Sequence, residues 1–323
     1  MYKFVKKIIL FFIPLILLFA IVPVSYLILD PFRVIYTYDF NGQTKNIAAM
    51  NRDFIVTELF LQNNPEHHYN SFIFGSSRTM AYQGIWGKYL PDSASVFSFD
   101  ASSESIYGIY SKIKYLDKNN TLINNALIIL CRDVSFIRDN NRLEHLFIKH
   151  PLISGESKWD FQLVFFKAYC NPMFLMAYVD YSVSNKYKPY MGSYIVGKFI
   201  QTDREKRITE NAEEYYSNMK FPERPETERI GQISQINSKQ KFMLSEINRI
   251  LKKHRTNYKV ILSPLYEQIK WNPEDMNILK DCFGENLYDF SGKNKFSEDK
   301  INFYESSHYR PLVGDSIMAE IYK

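Results

Sequence analysis

Two short motifs, far apart in the chain, contain the residue types that nucleophilic catalysis requires. Ser77 lies in the segment Phe74–Thr79, directly after an apolar run of strand length, and His308 lies near the C-terminus, three residues after Glu305. Serine is a weak nucleophile at its ordinary pKa and needs an adjacent base, and that base needs a carboxylate to hold its orientation. The spacing predicts a Ser77–His308–Glu305 triad that folding brings together, as in a serine esterase or acyltransferase.

The serine motif also has a simpler interpretation. Ser76 and Ser77 stand where a strand gives way to a helix, and serine is a preferred helix-capping residue. Taken alone, the motif predicts a cap rather than a nucleophile. His308 is one of six histidines, and the carboxylate three residues before it and the helix start after it distinguish it from the others. The case for a triad therefore depends on both motifs together.

Apolar runs of strand length alternate with helical patterns from Asn70 onward, which predicts an α/β fold with a parallel sheet covered on both faces. The predicted strands are Ser71–Phe74, Ala94–Phe99, Ala126–Leu130, Tyr258–Leu262 and Asn286–Tyr288. Amphipathic helices are predicted around Ile106–Leu116 and Met243–Leu251. Asn272 followed by Pro273 marks the start of a further helix.

The chain divides into three predicted parts. Residues 1–30 form a cytoplasmic tip and a transmembrane anchor, residues 31–69 a linker and approach to the domain, and residues 70–323 an α/β domain with an insertion at about 135–235. The insertion begins with a stretch rich in Tyr, Phe and Met and continues with a charged stretch, Gln201–Gly231. Two interpretations stay open for it: helices with a solvated connection, or a lid or partner-binding surface over the active site.

The N-terminal segment predicts an uncleaved membrane anchor. Ile8–Leu29 contains no charged residue, and lysines precede it. At about 1.5 Å per residue, such a helix is roughly 33 Å long, enough to cross the bilayer core. A cleaved signal peptide is less consistent, because its apolar region is only about 7–15 residues long. The lysines predict a cytoplasmic N-terminus and an extracytoplasmic domain, periplasmic or at the cell surface.

The composition argues against several other classes of protein. The formal net charge is +5, from 40 basic and 35 acidic residues, and lysines near the N-terminus supply part of it, so no electrostatic footprint for nucleic acid remains. Cys131, Cys170 and Cys282 lack metal-ligand spacing, so we predict no metal and no diffusible cofactor. Free buried thiols are the expectation, and a Cys170–Cys282 bridge is the alternative in an oxidising compartment.

The two motifs together resemble those of the SGNH/GDSL hydrolase superfamily. Phe-Gly-Ser-Ser-Arg ends the first strand, and Glu305-x-x-His308-Tyr-Arg-Pro stands near the C-terminus. The resemblance spans residues 70–323, with specific ends and a weak middle. It implies a flavodoxin-like three-layer sandwich in which Ser77 is the nucleophile, His308 the general base and Glu305 its orienting group.

A particular branch of that superfamily is closer still. The N-terminal anchor, the Ser in place of the Asp of G-D-S, and the large insertion resemble the membrane-anchored proteins of D-alanylation and alginate-type O-acetylation. Those proteins work beside membrane-bound O-acyltransferases. The resemblance therefore implies such an enzyme as a partner.

The sequence departs from the superfamily's pattern at three places. Glu305 stands where Asp is usual, the segment Phe99–Glu104 lacks the Gly of the second block, and Cys-Arg-Asp at 131–133 replaces the G-x-N-D of the third. The oxyanion donors must then come from other groups. The candidates are the backbone N–H groups of Ser102 and Ser103 and the side chains of Arg78 and Arg132, although each arginine is equally well a structural ion-pair partner.

We therefore predict a membrane-anchored serine acyltransferase or esterase that acts on O-acyl groups, foremost O-acetyl, of an exported polysaccharide. The alternative is a non-catalytic accessory or glycan-binding subunit of a polysaccharide acylation or export complex, suggested by the missing blocks and by 24 Tyr and 25 Phe, which can stack on sugars. The glycan and the membrane are expected partners, and nucleic acid is not. Hydrolase and transferase stay open, because water and a sugar hydroxyl use the same triad.

Overall fold

The structure is a computed structural model that describes residues 2–41, 46–195, 201–224 and 226–323, without the side chains of 2–3, 5, 8–10, 13–19 and 201–203. The α-helices are α1 (Tyr2–Leu29), α2 (Arg52–His67), α3 (Ile106–Lys118), α4 (Pro151–Ser154), α5 (Lys158–Tyr169), α6 (Pro172–Ser184), α7 (Gln201–Glu210), α8 (Ala212–Ser217), α9 (Ser238–Lys253), α10 (Pro273–Phe283) and α11 (Pro311–Ile321). The strands are β1 (Ser71–Gly75), β2 (Val96–Ser98), β3 (Asn125–Leu130), β4 (Arg229–Ile230), β5 (Asn257–Leu262), β6 (Ile269–Lys270), β7 (Leu287–Asp289), β8 (Phe303–Glu305) and β9 (His308–Tyr309).

A five-stranded parallel sheet forms the centre of the α/β fold, as the sequence predicted. Its strand order is β2-β1-β3-β5-β7, which is consistent with a flavodoxin-like sandwich. All five predicted strands are present, with ends displaced by a residue or two. A parallel pair, β4–β6, and an antiparallel hairpin, β8–β9, lie outside this sheet.

Apolar side chains project from both faces of the sheet, and helices cover both faces. Phe72 and Phe74 of β1 are buried on the face covered by α2, α3, α9 and α10. Ile73 points the opposite way and packs with α11 and with the 3-10 turns that follow β1. Ile106 and Leu116 are buried at the two ends of α3, which confirms its predicted apolar face. Burial on both faces explains the nearly continuous apolar sequence of the inner strands.

The segment 31–69, predicted as a linker and approach to the domain, contains α2. Phe60 of α2 stacks on Phe99, with ring centroids 5.3 Å apart, and belongs to the core of the sheet. The side chain of Asn51 caps the helix by accepting the N–H of Phe54 at 2.9 Å. The sequence does not predict this helix, because Pro65 and the polar residues around it indicate a loop.

α1 includes the predicted anchor Ile8–Leu29, but most side chains between residues 8 and 19 lie outside the described residues. Within the part of the chain that is described, no helix is long and apolar enough to cross a membrane. The C-terminal end of α1 is described and packs on α5. Tyr26 contacts Phe166 and Tyr169, and the ring centroids are 5.4 Å apart in both pairs.

The three cysteines are free, as predicted, and no bridge joins Cys170 to Cys282. Their burial differs from the prediction in part. Cys131 is buried, Cys282 is half-buried, and Cys170 is exposed because it ends α5 at the surface.

Candidate active site

Ser77 lies immediately beyond the carboxyl end of β1, at the start of the 3-10 turn Ser77–Ala81. The chain reaches it through Gly75, whose φ of +147° is rarely adopted by residues with a side chain. A Cβ at Gly75 would lie 2.8 Å from the carbonyl oxygen of Ile129 on the neighbouring strand. Glycine is therefore required here, because the turn that presents Ser77 passes directly against β3.

His308 and Glu305 lie opposite each other in the β8–β9 hairpin, directly before α11. The two strands form a short antiparallel pair closed by a turn at Ser306 and Ser307. The backbone N–H of Ser307 donates to Oε2 of Glu305 at 2.7 Å. This contact fixes the carboxylate from the turn side.

The structure brings the three predicted triad residues into one hydrogen-bonded chain. Ser77 Oγ lies 2.7 Å from Nε2 of His308, and Nδ1 of the same imidazole is hydrogen-bonded to Oε1 of Glu305. With a neutral imidazole, the serine hydroxyl donates to Nε2 and the Nδ1–H donates to the carboxylate. Ser77, His308 and Glu305 are only partly buried, so a substrate in solution can reach the serine.

The carboxyl of Glu305 is held in its ionised form. Burial alone would raise the pKa of Glu305, but the hydrogen bond and charge of His308, the Ser307 N–H and the charge of Arg204 lower it overall. An ionised carboxylate is the form that stabilises a neighbouring imidazolium.

The helix-capping interpretation of the serine motif does not hold. Ser76 occupies the capping position, but its side chain makes no capping hydrogen bond. Its hydroxyl instead lies 3.7 Å from Sγ of the buried Cys131, and the hydroxyl of Ser77 bonds His308. Neither serine side chain accepts a hydrogen bond from an amide group of the turn.

The guanidinium of Arg78 is occupied by contacts within the protein and is not free to meet a substrate. Its guanidinium pairs with Asp133 through two hydrogen bonds of 2.8 and 2.7 Å, and its Nε donates to the carbonyl oxygen of Ser307 at 2.7 Å. Burial would lower the pKa of Arg78, but Cys131 and Asp133 raise it overall, so the group is charged. Arg78 therefore ties the residue after Ser77 to the turn that precedes His308.

Ser102 and Ser103 form a turn after β2, beside the end of β1. The N–H of Ala101 donates to the Gly75 carbonyl at 3.2 Å, which sets this turn next to the serine motif. Ser103 has φ +47°, in the left-handed region that favours glycine. Neither serine N–H is hydrogen-bonded to another residue within the described chain. The segment thus lacks the expected Gly but keeps a backbone conformation typical of one.

Buried charges hold that turn at both ends. Asp100 accepts two hydrogen bonds from Arg52, at 2.8 and 3.0 Å, and one from Thr79 at 3.1 Å. Glu104 belongs to a buried quartet in which each of two lysines contacts each of two carboxylates, at Nζ–O distances of 2.6 to 3.2 Å. The quartet consists of Asp53, Glu104, Lys112 and Lys149.

Arg132 is not in contact with the triad. It lines a cavity of about 700 Å³ beside β4 and β6, together with Arg229 and Gln235. Its Nε is buried and has no hydrogen-bond partner among the described residues. Of the two predicted arginines, only Arg78 is therefore joined to the triad's hairpin.

The charged part of the insertion packs against the triad's hairpin, and the sequence did not identify the residues that make this contact. Arg204 of α7 lies 3.7 Å from the Glu305 carboxylate, and Glu205 pairs with Arg310 at the end of the hairpin. Tyr216 of α8 donates its hydroxyl to the carbonyl of Phe303 at 2.9 Å. The mixed charges of this stretch indicate that it forms ion pairs, but they do not identify the residues with which it pairs.

A series of hydrogen-bonded, buried polar side chains lies behind the site. Sγ of Cys131 donates to Oγ of Ser263 at 3.4 Å, and that hydroxyl lies 3.2 Å from the phenol of Tyr309. Tyr309 in turn donates to the hydroxyl of Tyr82 at 3.1 Å. Since Tyr309 follows His308 directly, this chain anchors the strand that carries the imidazole.

Within the described side chains, no group of three or more His, Cys, Asp or Glu residues is arranged to hold a metal ion. A scan against protein-family models found no match to this chain, and a search of curated proteins found no significant match either.

Proposed function

We propose that this chain is a membrane-anchored serine acyltransferase or esterase of the SGNH type. The observation that carries the proposal is the hydrogen-bonded chain Ser77–His308–Glu305, with a partly exposed nucleophile at the carboxyl end of a parallel strand. The substrate class we propose is an O-acyl group, foremost O-acetyl, on an exported polysaccharide.

The chemistry follows from the positions of the three side chains. His308 Nε2 accepts the Ser77 proton while Oγ attacks the acyl carbonyl, and Glu305 stabilises the imidazolium that forms. The imidazolium then gives its proton to the departing alkoxide, which leaves an acyl ester on Ser77. Attack by water or a sugar hydroxyl, deprotonated by the same imidazole, releases the acyl group and restores the serine.

The oxyanion of each tetrahedral intermediate requires hydrogen-bond donors. We assign this role to the backbone N–H groups of Ser102 and Ser103, because the turn lies beside the end of β1 and both groups lack a partner among the described residues. Arg78 is assigned a positioning role instead, since Asp133 and the Ser307 carbonyl already occupy its guanidinium.

Two features support membership of the SGNH superfamily and its membrane-anchored branch. The strand order 2-1-3-4-5 among the five parallel strands is the flavodoxin-like order, and the nucleophile follows the first of them. The uncharged run Ile8–Leu29, with lysines before it, supports an N-terminal membrane anchor and an extracytoplasmic domain. An anchor keeps the site near a membrane-bound acyl donor, which favours the transferase over the hydrolase.

The test is labelling of the full chain with a fluorophosphonate probe, which reacts with activated serines. We expect the wild type to be labelled, and Ser77→Ala and His308→Ala to lose labelling and activity, on the order of 10⁶-fold in kcat. Ser306→Ala, a serine in the hairpin turn outside the triad, is the matched control and keeps both. Labelling that persists in Ser77→Ala would contradict the proposal, and full function of both triad variants in cells would favour a non-catalytic accessory subunit.

A further inference from the structure

α5 and α6 have apolar residues on the outside as well as on the inside. Phe161, Phe165 and Phe174 point inward and are buried in a core shared with the segment before α2. A second set of apolar side chains on the same helices is exposed: Trp159, Leu163, Met173, Met176, Val179 and Val183. A helix that is apolar all round is normally covered on every side.

The exposed side chains form continuous stripes. On α5 they recur at intervals of four and three, through Trp159, Leu163 and the half-buried Phe166, and on α6 at three, three and four. Trp159 is 85% exposed and Val183 84%. Single exposed apolar residues need no explanation, but a contiguous surface of this kind marks an interaction site.

The end of α1 continues this surface. Ile21, Val24 and Leu27 of α1 are also exposed, and the helix packs against α5 through Tyr26. Between the two helices runs an apolar crevice of about 640 Å³, lined from the α1 side by Pro23 and Leu27 and from the α5 side by Trp159, Leu163 and Phe166. The outward faces of α1 and α5 thus form one apolar surface, and the exposed apolar residues of α6 lie on the helix that follows α5 directly.

We propose that the outward face of the α5–α6 pair lies in the bilayer, at the boundary between headgroups and acyl chains, beside α1. The proposal rests on the membrane topology that we propose for this chain. Helices of 12 and 13 residues are about 18 and 20 Å long, too short to cross a bilayer, but suited to lie along its surface.

The polar groups around the surface fit that position. Lys158 and Lys167 of α5 are exposed, where their ammonium groups can reach the phosphates of lipid headgroups. Asp160 is exposed beside Trp159 at the start of α5, where its carboxylate can stay in contact with water at the edge of the surface. Asp180, the acidic residue of α6, is paired with Lys188 at 2.7 Å. Tryptophan at the edge of such a surface is typical of the membrane interface.

Trp159 reports directly on this surface, because the other two tryptophans are buried: Trp86 is 0% exposed and Trp271 3%. The full chain is reconstituted in vesicles of phosphatidylcholine and phosphatidylglycerol whose acyl chains are brominated near the glycerol end. We expect the bromolipid to quench a fluorescence component that is absent from Trp159→Phe, and aqueous acrylamide to leave that component unquenched.

Two outcomes overturn the proposal. If acrylamide quenches the Trp159 fluorescence and the bromolipid does not, the surface lies in water. If neither quenches it, the surface lies against a protein. Met176→Glu lies within the surface and should reduce the bromolipid quenching several-fold, whereas Ile233→Glu, an exposed apolar position outside it, should not. Fluorophosphonate labelling of Ser77 stays unchanged in Trp159→Phe, so failure here is distinguishable from failure of the proposed acyl chemistry.

Discussion

Glu305 and His308 are direct cross-strand partners in the β8–β9 hairpin, and that pairing places Nε2 of the imidazole 2.7 Å from the hydroxyl of Ser77. Side chains at directly opposed positions have Cβ atoms roughly 4.5–5.5 Å apart, close enough for a carboxylate to meet an imidazole. A glutamate at this position therefore reaches the imidazole. The strand register sets the position of the His308 imidazole.

Replacing Glu305 by Gln should lower kcat strongly while the fold is retained. The amide no longer stabilises the imidazolium, and its NH₂ group favours the wrong tautomer of His308, an effect on the order of 10³–10⁴-fold. The measurement is the turnover of an aryl acetate by the full chain in detergent. Glu298→Gln, at an exposed carboxylate outside the triad, is the matched control. A kcat within a few-fold of the wild type would remove Glu305 from the mechanism.

Arg78→Lys should slow the reaction of Ser77 without unfolding the protein. Lysine keeps the charge but loses the paired contacts to Asp133 and the bond to the Ser307 carbonyl, so the turn before His308 shifts. A misplacement of about 1 Å costs roughly 10²-fold in rate. The readout is the second-order rate constant for fluorophosphonate labelling.

Arg132→Lys is the matched control for Arg78→Lys, because no contact among the described residues joins Arg132 to the triad. Its labelling rate should equal that of the wild type. Equal slowing by both substitutions would mean that the contacts between the Arg78 guanidinium and the hairpin are not what sets the rate.

The sequence predicted what local patterns determine. The apolar runs specify the strands, and the two motifs specify the residues that meet at the site, because each signal lies within a few consecutive residues. The contacts of Arg78 and the packing of α7 and α8 on the hairpin pair residues that are distant in the chain, and nothing local marks them. The turn at Ser103 shows a related limit, since its φ of +47° cannot be deduced from a missing glycine.

Tyr216→Phe should loosen the hairpin from the insertion. The hydroxyl shares its proton between the carbonyls of Ile301 and Phe303, at 3.0 and 2.9 Å. Arg310 also donates to the Ile301 carbonyl, so the loss of the hydroxyl deprives chiefly the buried Phe303 oxygen of a donor, at a cost of about 1–3 kcal/mol. The measurements are the free energy of unfolding and the labelling rate of Ser77, both of which should fall. Tyr89→Phe is the control, because its hydroxyl makes no hydrogen bond to a described residue. No change in either quantity would show that α8 does not stabilise the hairpin.

The buried quartet predicts a stability that depends on pH. Burial would raise the pKa of Asp53, but Lys112, Lys149 and the His150 N–H lower it well below its usual range. A carboxyl with a lowered folded-state pKa stabilises the fold above its unfolded pKa, about 3.9, and loses that contribution as the pH falls further. Asp53→Asn should therefore be less stable than the wild type by about 3–5 kcal/mol at neutral pH, because two buried lysines then share one carboxylate.

The difference in unfolding free energy between the wild type and Asp53→Asn should shrink as the pH falls below about 4. Below that pH the unfolded wild type binds a proton at Asp53, whereas the folded wild type does not. Chemical denaturation of the full chain in detergent at pH 7 and at successive acidic values measures it. Asp315→Asn, at an exposed position of α11, should match the wild type throughout. A difference that stays constant into acid would mean that Asp53 contributes by its shape and hydrogen bonds. In that case its charge would not be what holds α2, α3 and the turn at Ser102 and Ser103 together.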